Sequence, residues 1–175
     1  TAAALAHAPR WEPIAARSAV ARASPAAGRL GGTQPTTVGR VRIATWNVNS
    51  VKQRVPRLLP WLDQRRPDVV CLQETKLSND VFAELLGAEL DGRGYEVAYH
   101  GETQWNGVAI LSRVGIDGTT TGFDEASVDP YEGDARLIAA NCGGVNIVCV
   151  YVPNGREVGT EFYDRKLVWL EVLHD

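Results

Sequence analysis

Residues 41–46 (VRIATW) alternate apolar and polar positions, so Val41, Ile43 and Thr45 share one face with Asn47 just beyond. That alternation predicts a first strand with a polar tip. Val51, Val55, Leu58, Leu59 and Leu62 then recur at helical spacing. Ser50-Val51-Lys52-Gln53 has the form of a capping box, yet Pro56 and Pro60 oppose a straight helix from Ser50. The expectation is a turn over 50–53, then a helix from Arg54, kinked near Pro60 and stopped at Arg65-Arg66-Pro67. Residues 69–72 are apolar in succession, which suits a strand covered on both faces, and the run ends after Gln73 in a carboxylate, Glu74. A helix over 80–91 follows, so the chain opens as a strand–helix–strand unit.

After Gly92-Arg93-Gly94 the pattern changes to hairpins. Strands are expected at 95–100 and 108–112, joined by GETQWNG, a loop that exposes Trp105. Residues 115–134 are polar and acidic and read as a solvated loop without chemistry. Strands at 135–142 and 145–152 flank Gly143-Gly144, a two-residue turn. With that turn, Arg136 lies directly opposite Tyr151, and paired residues project from one face. Thr160 is expected to cap a last helix with Tyr163, Leu167, Leu170 and Leu173 along one side.

Composition divides the chain. Residues 1–40 are rich in Ala, Pro, Gly, Ser and Thr, hold Glu12 as their only acid, and carry Arg as their only basic residue type. They cannot bury enough apolar surface to offset ordering entropy, so a disordered extension is expected, with an organellar transit segment as the alternative. Residues 41–175 read as the N-terminal part of one folded domain. No apolar run approaches the roughly eighteen residues of a membrane span, so a soluble protein is expected, with a cytoplasmic, nucleoid-associated location and a monomeric state as further expectations. Cys71, Cys142 and Cys149 sit in strand-like runs and read as buried thiols in a reducing compartment, with a Cys142–Cys149 disulfide as the alternative. The chain has no methionine and its helical pattern still runs at Leu173, so a piece of a longer protein is expected.

Asn47, Glu74, Arg136 and Tyr151 all fall at strand ends, with Asn154 just beyond. A carboxylate at such an end suits a hard divalent cation, while amide, guanidinium and phenol groups suit an anion. Together they suggest phosphoryl transfer on a diester. Each also has a plainer role, Asn47 as a turn former, Arg136 as a surface cation and Tyr151 as a half-buried aromatic.

IATWNVNS (43–50), PDVVCLQETK (67–76), WNGVAILSR (105–113) and VYVPNG (150–155) stand in an order that resembles the first half of an exonuclease III-type apurinic/apyrimidinic endonuclease. That family lies in the endonuclease–exonuclease–phosphatase superfamily, and the resemblance covers about residues 41–173. It implies an α+β fold, a DNase I-like four-layer αββα sandwich, here truncated to roughly its N-terminal half. It further implies Mg²⁺- or Mn²⁺-dependent cleavage 5′ to an abasic site, and 3′-exonuclease or 3′-repair activity on duplex DNA. Carried over residue by residue, Glu74 is the metal-binding glutamate and Asn47 the asparagine that helps arrange metal and catalytic groups. Tyr151 is the tyrosine near the scissile phosphate, with Asn154 beside it. Asn49 and Lys76 support the metal site from behind, and Trp105 and Asn106 belong to a loop that meets DNA. The first helix adds Lys52 and Arg54 as backbone-contact candidates, although the folded part is acidic overall.

The resemblance also marks what these residues do not contain. The family's Gly-Asp-x-Asn segment, a later aspartate and a Ser-Asp-His segment are absent, and His7, His100 and His174 fit none of those contexts. The expectation is a chain that binds metal weakly and turns over nothing by itself. Its single sheet should also lack a partner sheet and expose an apolar face. Two other readings compete: a relative acting on a lipid or nucleotide phosphoester, and a non-catalytic binding fragment.

Overall fold

The computed structural model describes residues 40–124 and 126–174. The expected disordered or transit-type extension over residues 1–40 lies, apart from Arg40, outside the described residues.

In chain order the elements are β1 (Ile43–Asn47), α1 (Val51–Arg65), β2 (Val69–Gln73), α2 (Asn79–Asp91), β3 (Glu96–His100) and β4 (Val108–Ser112). They continue with β5 (Asp117–Thr121), β6 (Leu137–Cys142), β7 (Val145–Val150) and α3 (Glu161–His174). One sheet runs β1-β2-β4-β3, with β1 parallel to β2 and the other pairs antiparallel. The second runs β5-β6-β7, antiparallel throughout.

Period-two alternation explains how the layers assemble. Val70, Leu72, Ala109 and Leu111 face a core closed by Val51, Leu58 and Leu62 of α1 and Phe82, Leu86 and Leu90 of α2. Val69, Cys71, Val108 and Ile110 face the other way, onto Ile138, Ala140, Cys142, Ile147 and Cys149 of the second sheet. Strand β2 is therefore buried along its whole length, as its unbroken apolar run requires. Helix α3 is anchored by Trp169, which is fully buried and edge-on to Phe123, rather than by the expected leucine row, of which Leu167 is exposed. Helices α1 and α2 and the two facing sheets give the first three layers of an αββα order, and α3 follows, held at Phe123 just past β5.

Both sheets are thus present, which corrects the expectation of one sheet without a partner. The cost falls on edges instead: β1 and β7 each end a sheet, with Ile43 and Val148 about half exposed. The three cysteines are free and buried.

Two local expectations fail for physical reasons. Helix α1 starts at Val51, with no turn over 50–53 and no side-chain cap from Ser50. Its first donors are instead taken by the neighbouring strand end, Ser50 N–H by the Glu74 carbonyl (2.7 Å) and Val51 N–H by that of Thr75 (3.1 Å). Pro56 and Pro60 are tolerated because both lie on the exposed side, where the carbonyls left without donors can be hydrated. Strand β5 lies inside the stretch expected to be plain loop. Its residues are exposed along its length and it pairs only through backbone bonds to β6, so no apolar pattern marks it.

The hairpin of β6 and β7 keeps the predicted register. Gly143 and Gly144 both have positive φ, and Leu137 pairs with Val150 through to Cys142 with Val145. One step further out, Tyr151 N–H donates to the Arg136 carbonyl at 2.8 Å.

Candidate active site

The C-terminal ends of β1, β2 and β7 open on one rim. In the parallel pair Asn47 lies opposite Gln73, which puts Glu74 one residue past the sheet and within reach of the Asn47 side chain. Asn47 Nδ2 donates to Glu74 Oε1 at 2.7 Å, and Asn47 Oδ1 accepts the Asn49 N–H at 3.1 Å. Lys76 Nζ sits 3.0 Å from Glu74 Oε2 and donates to Asn49 Oδ1 at 2.6 Å. From the second sheet, the Tyr151 phenol reaches the same carboxylate.

The backbone beneath these groups is strained and over-determined. Asn49, Ser50, Glu74 and Lys76 all have positive φ, between 42° and 81°. Each such residue costs on the order of 1 kcal/mol or more, and they persist where surrounding bonds fix them. Here Thr75 N–H donates to the Gly107 carbonyl (3.1 Å) and Lys76 N–H to that of Asn106 (3.0 Å). Gly107 N–H then donates to the Ala135 carbonyl (2.9 Å), tying the first sheet to the second beside the site. Only glycine fits there: φ is +88° and a Cβ would stand 2.1 Å from Thr75 Oγ1.

Partial burial would raise the Glu74 carboxyl pKa, but hydrogen bonds from Asn47 and Lys76, the Lys76 charge and the Tyr151 hydroxyl outweigh it. The group is held below the usual carboxylate range and is ionised at neutral pH. Burial pushes the Tyr151 phenol upward, the Glu74 charge adds to that, and Arg136 opposes it. Tyr151 therefore stays protonated and able to donate.

Arg136 is set by its surroundings more than the sequence suggested. Its guanidinium lies 5.0 Å from the Tyr151 ring and 4.9 Å from the Tyr131 ring, with Nε donating to Asp134 Oδ2 at 2.8 Å. Its Nη1 is buried with no partner, an unused donor of the kind a phosphate oxygen fills. Tyr131 and Asp134 come from the stretch given no chemistry. Asp134 at position i−2 from Arg136 was the available signal. Gln73 was also passed over: it is buried inside the apolar strand, with Nε2 3.0 Å from Thr45 Oγ1 and 3.3 Å from Cys149 Sγ, so it links both sheets.

The other candidates are spread around the rim. Trp105 is 68% exposed on its loop. Asn106 is buried, its amide donating to Glu102, so it shapes that loop from within. Asn154 is exposed and folds back on its own loop, accepting the Arg156 N–H at 2.9 Å. Lys52 is exposed and Arg54 half-buried on the first turn of α1, directly after the Asn47–Ser50 segment.

For a divalent cation the donor chemistry fits but is incomplete. Glu74 supplies an ionised carboxylate, and Asn47 and Asn49 supply amide oxygens, all hard ligands. Among the described residues no group of three or more His, Cys, Asp or Glu side chains converges. The remaining positions would fall to water or phosphate oxygens, as is usual for Mg²⁺.

Two paired sheets thus bring a carboxylate, amides, a phenol and a guanidinium toward one rim. The chain belongs to the Endonuclease/Exonuclease/phosphatase family, whose model matches residues 44–174. Its structure is similar to that of an AP endonuclease from Archaeoglobus fulgidus, at 38% identity and a TM-score of 0.70, covering 77% of this chain and 50% of that one. It is similar also to a 3′ phosphatase from Neisseria solved bound to a product DNA hairpin, at 34% identity, a TM-score of 0.70, and the same two coverages. In sequence it is 26% identical over 137 residues to an exodeoxyribonuclease of Bacillus subtilis, covering 76% of this chain and 50% of that protein. The chain spans about half the length of the relatives it matches.

Proposed function

We propose that this chain forms part of a divalent-metal-dependent phosphodiesterase acting on DNA, of the exodeoxyribonuclease III and AP endonuclease kind, in base excision repair. The observation that carries this reading is the Glu74 carboxylate, ionised and gripped by Asn47 and Lys76 at a rim that Tyr151 and Arg136 also reach. The substrate is duplex DNA carrying an abasic or 3′-blocked site, met by a monomer. No helix among the described residues is long and apolar enough to cross a membrane. A cytoplasmic, nucleoid-associated location agrees with a DNA substrate.

Glu74, with an amide oxygen from Asn47 or Asn49, would hold Mg²⁺ or Mn²⁺, which supplies charge stabilisation at a phosphoryl oxygen when bound. The Asn47 amide keeps the carboxylate pointed at the rim, and Lys76, bonded also to Asn49, braces it while no metal is bound. Tyr151, kept protonated, would turn its hydroxyl hydrogen bond from Glu74 toward the scissile phosphate, and the spare Arg136 Nη1 offers a charged hydrogen bond to the same group. Asn154 borders the phosphate from the adjoining loop. Trp105, on a loop that buried Asn106 shapes from within, lines the approach of the duplex with Lys52 and Arg54.

The test is incision of a duplex oligonucleotide holding one abasic site. The complete reading frame should cut only with Mg²⁺ or Mn²⁺ present, and Glu74→Gln should slow it on the order of a hundredfold. The 175-residue chain alone should not turn over. An undiminished rate in Glu74→Gln removes the assignment, and hydrolysis of lipid or nucleotide phosphoesters in place of DNA supports the competing substrate class.

A further inference from the structure

The oxygens at the rim are not equally available. Asn47 Oδ1 is engaged by the Asn49 N–H, and Glu74 Oε1 by the Asn47 amide. Glu74 Oε2 and Asn49 Oδ1 remain, and one group bridges them: the Lys76 ammonium, at 3.0 and 2.6 Å. A carboxylate and an amide oxygen are ligands of the kind a hard divalent cation takes. The bridge is built in, because Asn49, Glu74 and Lys76 all hold left-handed backbone conformations and Lys76 N–H is pinned to Asn106.

We propose that the Lys76 ammonium is an internal occupant of the cation position, which an incoming Mg²⁺ or Mn²⁺ must displace. It rests on the divalent-cation reading above. Lysine suits this role since its charge is compact and its four-carbon stem is flexible, so it can vacate the position without moving the backbone. A metal ion seated on Glu74 Oε2 and Asn49 Oδ1 would take the two oxygens the ammonium now holds, and the like charges would repel, so the two compete for the position. The ammonium holds Glu74 in place while no metal is bound, and it raises the concentration at which metal enters. A lysine that merely orients Glu74 has the opposite effect, since its loss would weaken metal binding. The sign decides between them.

The experiment is a Mn²⁺ titration of the 175-residue chain, following free Mn²⁺ by electron paramagnetic resonance. Lys76→Met, and Lys76→Gln as a second uncharged variant, should bind Mn²⁺ about three- to tenfold more tightly than the parent, the range set by a partly screened ion pair. Lys76→Arg, which keeps the charge, should not tighten. In the parent, the Lys76 Nζ nuclear resonance should shift as Mg²⁺ is added. Equal or weaker binding by both uncharged variants overturns the proposal, as does an Nζ resonance that stays fixed while metal binds. Glu74→Gln separates the two levels: undiminished Mn²⁺ binding there overturns the cation site itself. Absence of binding in parent and uncharged variants alike overturns both.

Discussion

Asn47 Nδ2 lies 2.7 Å from Glu74 Oε1, joining the tips of two parallel strands across 27 residues of sequence. A hydrogen bond to a charged group contributes about 1.5–3 kcal/mol when buried and less at a rim such as this. Asn47→Ala should therefore weaken Mn²⁺ binding by the chain about three- to tenfold, measured by calorimetric titration. Unchanged affinity would mean that Lys76 alone orients the carboxylate.

Gly107 is the joint between the sheets. Gly107→Ala places a Cβ against Thr75 Oγ1 in a backbone region that L-residues avoid, and threatens the bonds to Thr75 and Ala135. A loss of about 2–4 kcal/mol is expected from urea unfolding, since strain and a broken tie act together.

Tyr151 reports on both of its charged neighbours. Glu74 raises its pKa and Arg136 lowers it. Glu74→Gln should therefore bring the phenol down toward its ordinary value, and Arg136→Met should drive it further up. Phenolate absorbance, with Tyr151→Phe subtracted, reads both shifts.

Tyr95 is fully packed and donates to the Pro67 carbonyl at 2.8 Å. Burial raises its pKa above the ordinary 10.0, so the native state keeps a proton that the unfolded chain releases first. Stability from this group is whole below pH 10 and falls as pH rises through the native value. Tyr95→Phe should cost about 1–3 kcal/mol at neutral pH and flatten the alkaline loss, seen in thermal melts across pH.

Much of this arrangement was legible in the residues themselves. β2 announced itself because both of its faces are apolar, and Gly143-Gly144 set the register that puts Arg136 beside Tyr151. What escaped was held by distant partners. β5 depends on backbone bonds to β6, and the start of α1 depends on carbonyls of Glu74 and Thr75, neither of which leaves a local pattern. The cradle of Arg136 was hidden for the same reason: Tyr131 stacks on it from a stretch with no periodicity at all. The grouping of Asn49 and Lys76 came from family likeness, and the 2.6 Å bond between them gives it a physical basis.

The layer between the sheets is lined largely by small or thin side chains, among them Cys71, Ala98, Ala140, Cys142 and Cys149. Glu74 rides on one sheet and Tyr151 on the other, so the filling between the sheets helps set how the two side chains meet. A bulkier residue at Ala140 would wedge the plates apart and detune the carboxylate–phenol contact from deep inside, without touching either group.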